Sequence, residues 1–590
     1  DEAYPDGRGR RYYLNGILNE SSPRQWSIGK LIDFGFDPST GIWQESPGYA
    51  AMVLSEFTSF VRLVDEVLGI DLVAAYPVLD RAVRNVPQYL FPNGLGVGWG
   101  DSHYGRLRTD FYPRMVAHAQ QYGNREQERF FTAMYRCFDP AAGSTDSDAK
   151  LPAKVETFTS MKPLALDSAI AAGRVADYVS PTFHSEGASW FAARSGMDPA
   201  HSLMLSLCGS QGNHMHANGI SLELYGKGYV QAPDLGRGSG YTTLDYTEFY
   251  SQFPAHNTVC VDGISSYPVM MSHHPFRLEA CYPASEQRSG HYEGVLYGDV
   301  SFLEPETQSD QRRQTLIVNT DPTHGYYVDI FRSRRRDGKD VTHDYFYHNI
   351  GQEFSLDLPT EPTEELAFAG GHLYAYSYLW DKSSVLSDRP VAGRFAMRLP
   401  EGGENGMRFW MRGEQERRLF KALSPRIDAL TRTPMPYDVR NSPCQTFVAR
   451  QYGEAWTRPF AAVYEPYADD DSAIGQVEWF DCGAPASVGV RVTKTDGRID
   501  RIVSADSLRM LSGDGIRCCT VLAVVSDNQF FMDRGTLLEF GKVRIAADRP
   551  ATIALVRRDG TWFYTSDAPC RIRIDGRTRR LPAAAMSPLH

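Results

Sequence analysis

The chain has 590 residues, 42% of them hydrophobic and 23% charged, with a formal net charge of −11. One core stops growing near about 250–300 residues, so more than one domain is expected. The acidic balance gives no global field for polyanions, which leaves an anionic substrate to a local basic cleft.

In chain order, the start "DEAYPDGRGRR" carries neither Met nor a signal peptide, the look of a processed or trimmed chain. The first third then reads helical. Pro47 leads into "AAMVLSEFTSFVRLVDEVLG", where Val53, Phe57, Phe60, Val61, Val64 and Leu68 fall at three-and-four spacing and Gly69 closes the run. Further helical patterns cover 72–90, 114–122 and 125–138. Between them lie the aromatic, glycine-rich loops "DPSTGIWQESPGY" and "FPNGLGVGWGDSHYGR". Helices joined by such loops predict a helical barrel with its loops gathered at one mouth. "DPAAGSTDSDAKLPAK", Asp139 to Lys154, reads as a linker.

From Pro181 the texture changes. Short alternating runs bounded by Gly, Asn and Asp follow, among them "SLMLSLCGS", "ISLELYGKGYVQAPD", "GYYVDIFR" and "CCTVLAVVSD". They predict antiparallel β-sandwich layers. The expected organisation is α+β: a helical part over 1–178, a central sheet domain over 179–425 and a C-terminal sheet domain over 426–590.

Several function classes find no support. The sequence has no zinc knuckle, basic helix or RNA-binding signature, so nucleic acid is not an expected partner. The basic run "RSRRRDGK", Arg332 to Lys339, sits at a D-G turn and reads as a solvated hairpin tip. Nine cysteines without a Cys-x-x-Cys give no disulfide scaffold, and the adjacent Cys518 and Cys519 point to opposite faces of a strand. No apolar run is long enough to span a bilayer. Aromatics at 12% supply flat faces for stacking on sugars.

The chemistry concentrates in "GNHMHANGISLELYGKGYVQAPDLGRGSGY" and the "PAHNTVCVDG" that follows. His214 and His216 share a parity, so a regular strand would aim both to one side. "GKG" supplies a tight turn that returns Asp234 on the neighbouring strand, and His256 joins from the next. Two imidazoles and a carboxylate suit a divalent metal such as zinc. A cupin site would also use His-x-His with a nearby glutamate. Here that acid is Glu223, whose odd parity turns it away.

These residues resemble the heparinase II/III-like superfamily of polysaccharide lyases, which includes heparinase II, heparinase III and the family 15 and 17 alginate lyases. "TGIWQESPGYA", "SPTFHSEGASWFAARSG" and "GYYVDIFRSRRRDGKDVTHDYFYHN" extend the likeness over most of the chain. The resemblance implies an N-terminal (α/α) toroid, incomplete here, followed by antiparallel β-sandwich domains. It implies Tyr49 as catalytic acid and His214 as the sheet-domain histidine of the active site. His216, Asp234 and His256 would hold one zinc ion of mainly structural role. Trp43 and Glu45, in the toroid loop, and Arg237, Tyr241, Asn213 and His103 are candidates for substrate contact. Relatives carry an Asn or His well upstream of the tyrosine to neutralise the uronate. In this chain that position falls at or before residue 1, with Asn15, His103 and His184 as stand-ins. The implied substrate is a uronic-acid polysaccharide, a glycosaminoglycan such as heparan, chondroitin or hyaluronan first, then alginate or ulvan. The implied enzyme is periplasmic or secreted, as a monomer or homodimer. A noncatalytic carbohydrate-binding protein and a cupin-like oxygenase are the alternatives from other classes.

In such a lyase, β-elimination removes the C5 proton of the uronide and expels the C4 oxygen. Donors on the carboxylate stabilise the enediolate, and a tyrosine hydroxyl protonates the leaving oxygen.

Overall fold

The computed structural model describes residues 5–6, 8–139, 164–265 and 270–589. The expected linker, from residue 140 on, lies outside the described residues. The chain is α+β with antiparallel sheets, as the alternating runs predicted.

The helical part holds α1 (Arg10–Leu18), α2 (Ile28–Gly35), α3 (Pro47–Leu68), α4 (Leu72–Ala75), α5 (Val78–Asn85), α6 (Phe111–Gln121) and α7 (Arg125–Phe138). Proline at the first turn of α3 and left-handed Gly69 after its last turn, at φ 66°, set its ends. Its buried face differs from the expected stripe. Leu54, Val61 and Val64 are buried, whereas Val53, Phe57 and Phe60 are half-buried. The stripe turns because α3 also buries polar side chains that find partners. Arg62 pairs with Asp65 at 3.0 Å, and Arg114 of α6 donates to Thr58 Oγ1 at 3.0 Å and to the Ser55 carbonyl at 2.9 Å. Leu54, Val61 and Val64 join Ile32, Val83, Phe111, Val116 and Phe131 in one cluster. Each such side chain contributes about 1.5–3 kcal/mol by burial.

Four larger sheets follow. A five-stranded sheet runs in the order Thr182–Ser185, Trp190–Arg194, Met204–Cys208, Ser221–Gly226, Tyr229–Ala232. Its last hairpin turns through Lys227 (φ 51°) and Gly228 (φ 90°), a two-residue turn with both central residues left-handed, as "GKG" suggested. An eight-stranded sheet is centred on Ala455–Ala468, Gly325–Arg335 and Ser309–Asn319, and a six-stranded sheet on Arg417–Ser424, Cys444–Tyr452 and Thr342–Asn349. The three sheets share one apolar cluster. Strands Cys444–Tyr452 and Ala455–Ala468 pair inside these central sheets although they lie beyond the boundary expected at 425. A ten-stranded sheet from Ile474 to Pro588 packs on the far side of the eight-stranded sheet through Val328, Ile330, Val490 and Phe531.

The loop that joins the helices to the sheets is residues 89–104. Phe91, Val97, Trp99 and Tyr104 are buried in the sheets' cluster rather than the helices' own. Gly100 sits at φ 67°, and a Cβ there would meet the His214 carbonyl at 2.6 Å. The loop therefore lies directly against the histidine segment, and Asp101 N–H donates to that same carbonyl at 3.1 Å.

Candidate active site

His214 and His216 do not lie in a strand. The strand Ser210–Asn213 ends one residue earlier, and His214 takes the left-handed region at φ 53°. The parity expectation fails there. Both imidazoles nevertheless meet one carboxylate, that of Asp101. His214 Nδ1 lies 2.8 Å from Asp101 Oδ2 and His216 Nε2 lies 2.9 Å from Oδ1. Burial alone would raise the Asp101 pKa. The hydrogen bonds and charge of the two histidines outweigh it and hold the carboxyl well below the usual range. A left-handed non-glycine residue beside buried charge marks a position held by its surroundings.

Tyr49, in the first turn of α3, lays its ring on His214. The centroids are 3.7 Å apart and the planes 5° from parallel. The Tyr49 hydroxyl lies 2.5 Å from the Tyr241 hydroxyl, which lies 3.2 Å from His214 Nδ1. The Arg237 guanidinium sits over the Tyr241 ring at 5.0 Å. Tyr246 closes the group, edge-on to Tyr241 at 5.4 Å and with its hydroxyl 3.5 Å from Asp101. Burial and the Tyr49 hydrogen bond raise the Tyr241 pKa above its ordinary value.

Glu45 faces His214 from the other side, with Oε1 3.5 Å from Nε2. The Trp43 indole donates to Glu45 Oε2 at 2.9 Å, while its ring packs on Phe36 and Phe57. Trp43 thus orients Glu45 from the edge of the helical core. Asn213 is exposed at its strand end, and its backbone bridges to Glu45.

Behind this pair lie His216, Asp234 and His256, all buried, with one ligand atom from each within 4.8 Å of the others. His216 Nδ1 and His256 Nε2 have no hydrogen-bond partner, while the Asp234 carboxylate accepts from Gly236 N–H at 2.9 Å and lies 2.8 Å from His256 Nδ1. This donor set fits a divalent cation. Asp101 on the far nitrogen of His216 is the carboxylate that fixes a ligating imidazole. Burial pushes Asp234 up to about 7 and His256 down to about 3. Glu223, the acid a cupin would use, is buried elsewhere. It accepts from Tyr104 Oη at 2.5 Å and from Gly98 N–H at 3.1 Å.

Of the three stand-ins, Asn15 accepts from Asn19 just past the end of α1 and His184 packs near Phe276, so neither touches the tyrosine–histidine group. His103 sits 3.9 Å from Asp428, and the pair feels the charges of Arg237 and Arg432, with Arg426 also 3.9 Å from Asp428. Three arginines around one aspartate leave this corner cationic in an acidic chain. Asp101, Tyr246, Asp428, Arg426 and Arg432 were not singled out from sequence. Only the "GWGDSHY" loop, dense in glycine and polar residues, carried a signal for any of them.

The proteins this chain is similar to are polysaccharide lyases. The family model for the second domain of an endo-acting ulvan lyase matches residues 39–175. An endo-acting ulvan lyase of Formosa agariphila is 28% identical over 531 residues, covering 83% of this chain and 61% of that protein. The chain therefore spans about three fifths of that relative's length. A solved heparan sulfate lyase mutant from Pedobacter heparinus shares the fold at a TM-score of 0.50 and 13% identity, over 80% of this chain and 60% of that one.

Proposed function

We propose that this chain carries the active site of a lyase that cuts a uronic-acid polysaccharide by β-elimination. Ulvan moves ahead of the glycosaminoglycans as substrate, because the sequence match is to an ulvan lyase. The observation that carries the reading is the Tyr49 ring stacked on His214 with its hydroxyl against Tyr241. Tyr49, as phenolate, takes the C5 proton and passes it to the leaving C4 oxygen on the same face of the sugar, and the Tyr241 hydroxyl donates to that phenolate at the start and end of the cycle. His214, oriented by Asp101, and the His103–arginine corner face the substrate carboxylate. They stabilise the charge that develops as the C5 proton leaves. Arg237 and Tyr241 contact the polymer.

His216, Asp234 and His256 are assigned to a zinc ion, with Asp101 behind His216. The ion would tie the histidine segment to the Asp234 loop and act on structure first. The helical part is read as a portion of an (α/α) toroid and the central sheets as a sandwich. A polymeric substrate places the enzyme in the periplasm or outside the cell, as a monomer or homodimer.

The test is ultraviolet absorbance of the unsaturated uronide on incubation with ulvan, heparan sulfate, chondroitin and alginate in turn. A rise with ulvan is expected, and Tyr49→Phe should cut the rate by ~10²–10⁴-fold with the melting temperature unchanged. Binding of polymer without any rise in absorbance, unaltered by Tyr49→Phe, would replace the lyase with a noncatalytic sugar-binding protein.

A further inference from the structure

Four arginines rank among the largest fully buried side chains: Arg194, Arg313, Arg332 and Arg417. Arg313 pairs with Asp329 at 2.6 Å. Arg332 and Arg417 lack a carboxylate, but each donates its Nε, to the Ala486 carbonyl at 3.1 Å and to Gln451 Oε1 at 3.1 Å. Arg194 is the exception. Its terminal nitrogens donate to Gln88 Oε1 at 3.0 Å, the Ser180 carbonyl at 2.7 Å and the Gln88 carbonyl at 2.5 Å, all neutral acceptors. Its Nε is buried with no partner. Burial and the like charge of Arg288 push its pKa down to about 9. A buried guanidinium held among neutral groups, with a donor unused and a second cation nearby, lacks its counter-charge.

Arg194 lines a cavity of about 490 Å³ that shares no residue with the tyrosine–histidine site. Exposed Arg288, Arg557 and Arg558 stand in its wall, from the eight-stranded sheet's approach and from the ten-stranded sheet. His291, buried with Nδ1 unpaired, lines it too. The wall also holds Glu293 and Asp321, but Asp321 is turned onto Thr323 and His324, the latter at 3.0 Å. Cations thus reach the space from three separate segments, an arrangement that suits a tetrahedral anion better than a planar carboxylate met by one fork.

We propose that this cavity is a second, noncatalytic binding site for a tetrahedral oxyanion, with the sulfate ester of a polysaccharide as its ligand. Arg194 forms the floor and the three exposed arginines the rim. The anion chemistry stands on these residues alone; the polysaccharide as its source rests on the lyase reading.

Titration calorimetry with inorganic sulfate at fixed ionic strength tests the anion site on the whole chain. Arg288→Ala combined with Arg558→Ala removes two exposed rim charges and leaves the buried floor intact. Wild type should bind sulfate, and the double variant at least tenfold more weakly, with equal elimination rates on short oligosaccharides. Equal sulfate affinity in both overturns the site. A second arm compares a sulfated oligosaccharide with its desulfated counterpart, in a Tyr49→Phe background that prevents turnover. Preference for the sulfated form, lost in the double variant, supports the ester. Sulfate binding without such preference keeps the anion site and overturns the polysaccharide as its source. Neither arm reads elimination from ulvan, so failure of the lyase reading is seen separately.

Discussion

Two seams border the central sheets, and they treat buried charge in opposite ways. Against the ten-stranded sheet, Asp299 accepts from Arg312 at 2.8 and 2.5 Å, from Arg534, and from the Tyr297 hydroxyl at 2.9 Å. Arg332 beside it donates to Gln314, Ser504 and the Ala486 carbonyl, and none of these side chains has a buried atom left unpaired. Against the helical part, by contrast, His216 Nδ1, His256 Nε2, His103 Nδ1 and Asp428 Oδ2 are all buried without a partner. An unpaired buried polar atom costs about 1–3 kcal/mol. The histidine cluster, which keeps four of them, is built to be completed by something else, and the Asp299 cluster, which keeps none, is built to hold.

The sharpest break of that contrast is at Asp299. Asp299→Asn removes the charge that both Arg312 and Arg534 share, and should lower stability by ~3 kcal/mol, the lower end for a broken buried pair because Arg534 is part-exposed. Elimination per folded molecule should not change; a loss of rate at full folding would make this seam more than structural. The pH dependence has a definite sign. Burial would raise the Asp299 carboxyl, but Arg312 and Arg534 outweigh it and hold it at about 2 against an ordinary 3.8. Its stabilisation is therefore complete above pH 3.8 and disappears as pH falls through about 2. The acid limb of the wild-type melting curve should flatten in the variant over that window.

How far each seam could be read from sequence follows from the range of its contacts. His214, His216, Asp234 and His256 stood out because three of the chain's 15 histidines crowd one stretch with an acid, and the fold does bring them together. The strand expected for the two histidines was wrong because a left-handed backbone at His214 has no signature in a non-glycine residue. Asp101 stayed hidden because its role depends on a loop from the helical part entering the sheet core, a contact 113 residues long in sequence. Glu223 does lie away from the two histidines, but the reason is its hydrogen bonds to Tyr104 and Gly98 rather than parity, since the histidines share no strand with it. The rotated face of α3 could not be read, because apolar periodicity says nothing of Arg114 arriving from α6. The boundary expected at 425 separated strands Cys444–Tyr452 and Ala455–Ala468 from partners that lie far earlier in the chain, Thr342–Asn349 and Gly325–Arg335.

At the incomplete seam, the next largest effect should come from Asp101→Asn. The amide keeps the shape, but one of its two atoms becomes a donor facing an imidazole that needs an acceptor. A lost outer carboxylate of this kind typically costs ~10–100-fold in metal affinity or activity. Zinc retained after dialysis against graded chelator should fall accordingly, with His214-dependent elimination falling alongside. Unchanged zinc retention would mean that Asp101 serves His214 alone and that the two halves of the seam are independent.

The smallest effect separates the rim of that seam from its buried interior. Arg432 is exposed and acts on His103 and Asp428 only through its charge. Exposed charges contribute about 0–1 kcal/mol, so Arg432→Ala should raise KM for the polymer by no more than ~5-fold and leave kcat alone. Screening acts over about 10 Å at 0.1 M salt, so the difference between variant and wild type should shrink as salt rises. A KM change that survives high salt would instead place Arg432 in direct contact with the sugar chain. No change at low salt would put the polymer's path elsewhere, and His103 Nδ1 and Asp428 Oδ2 would then need another hydrogen-bond partner.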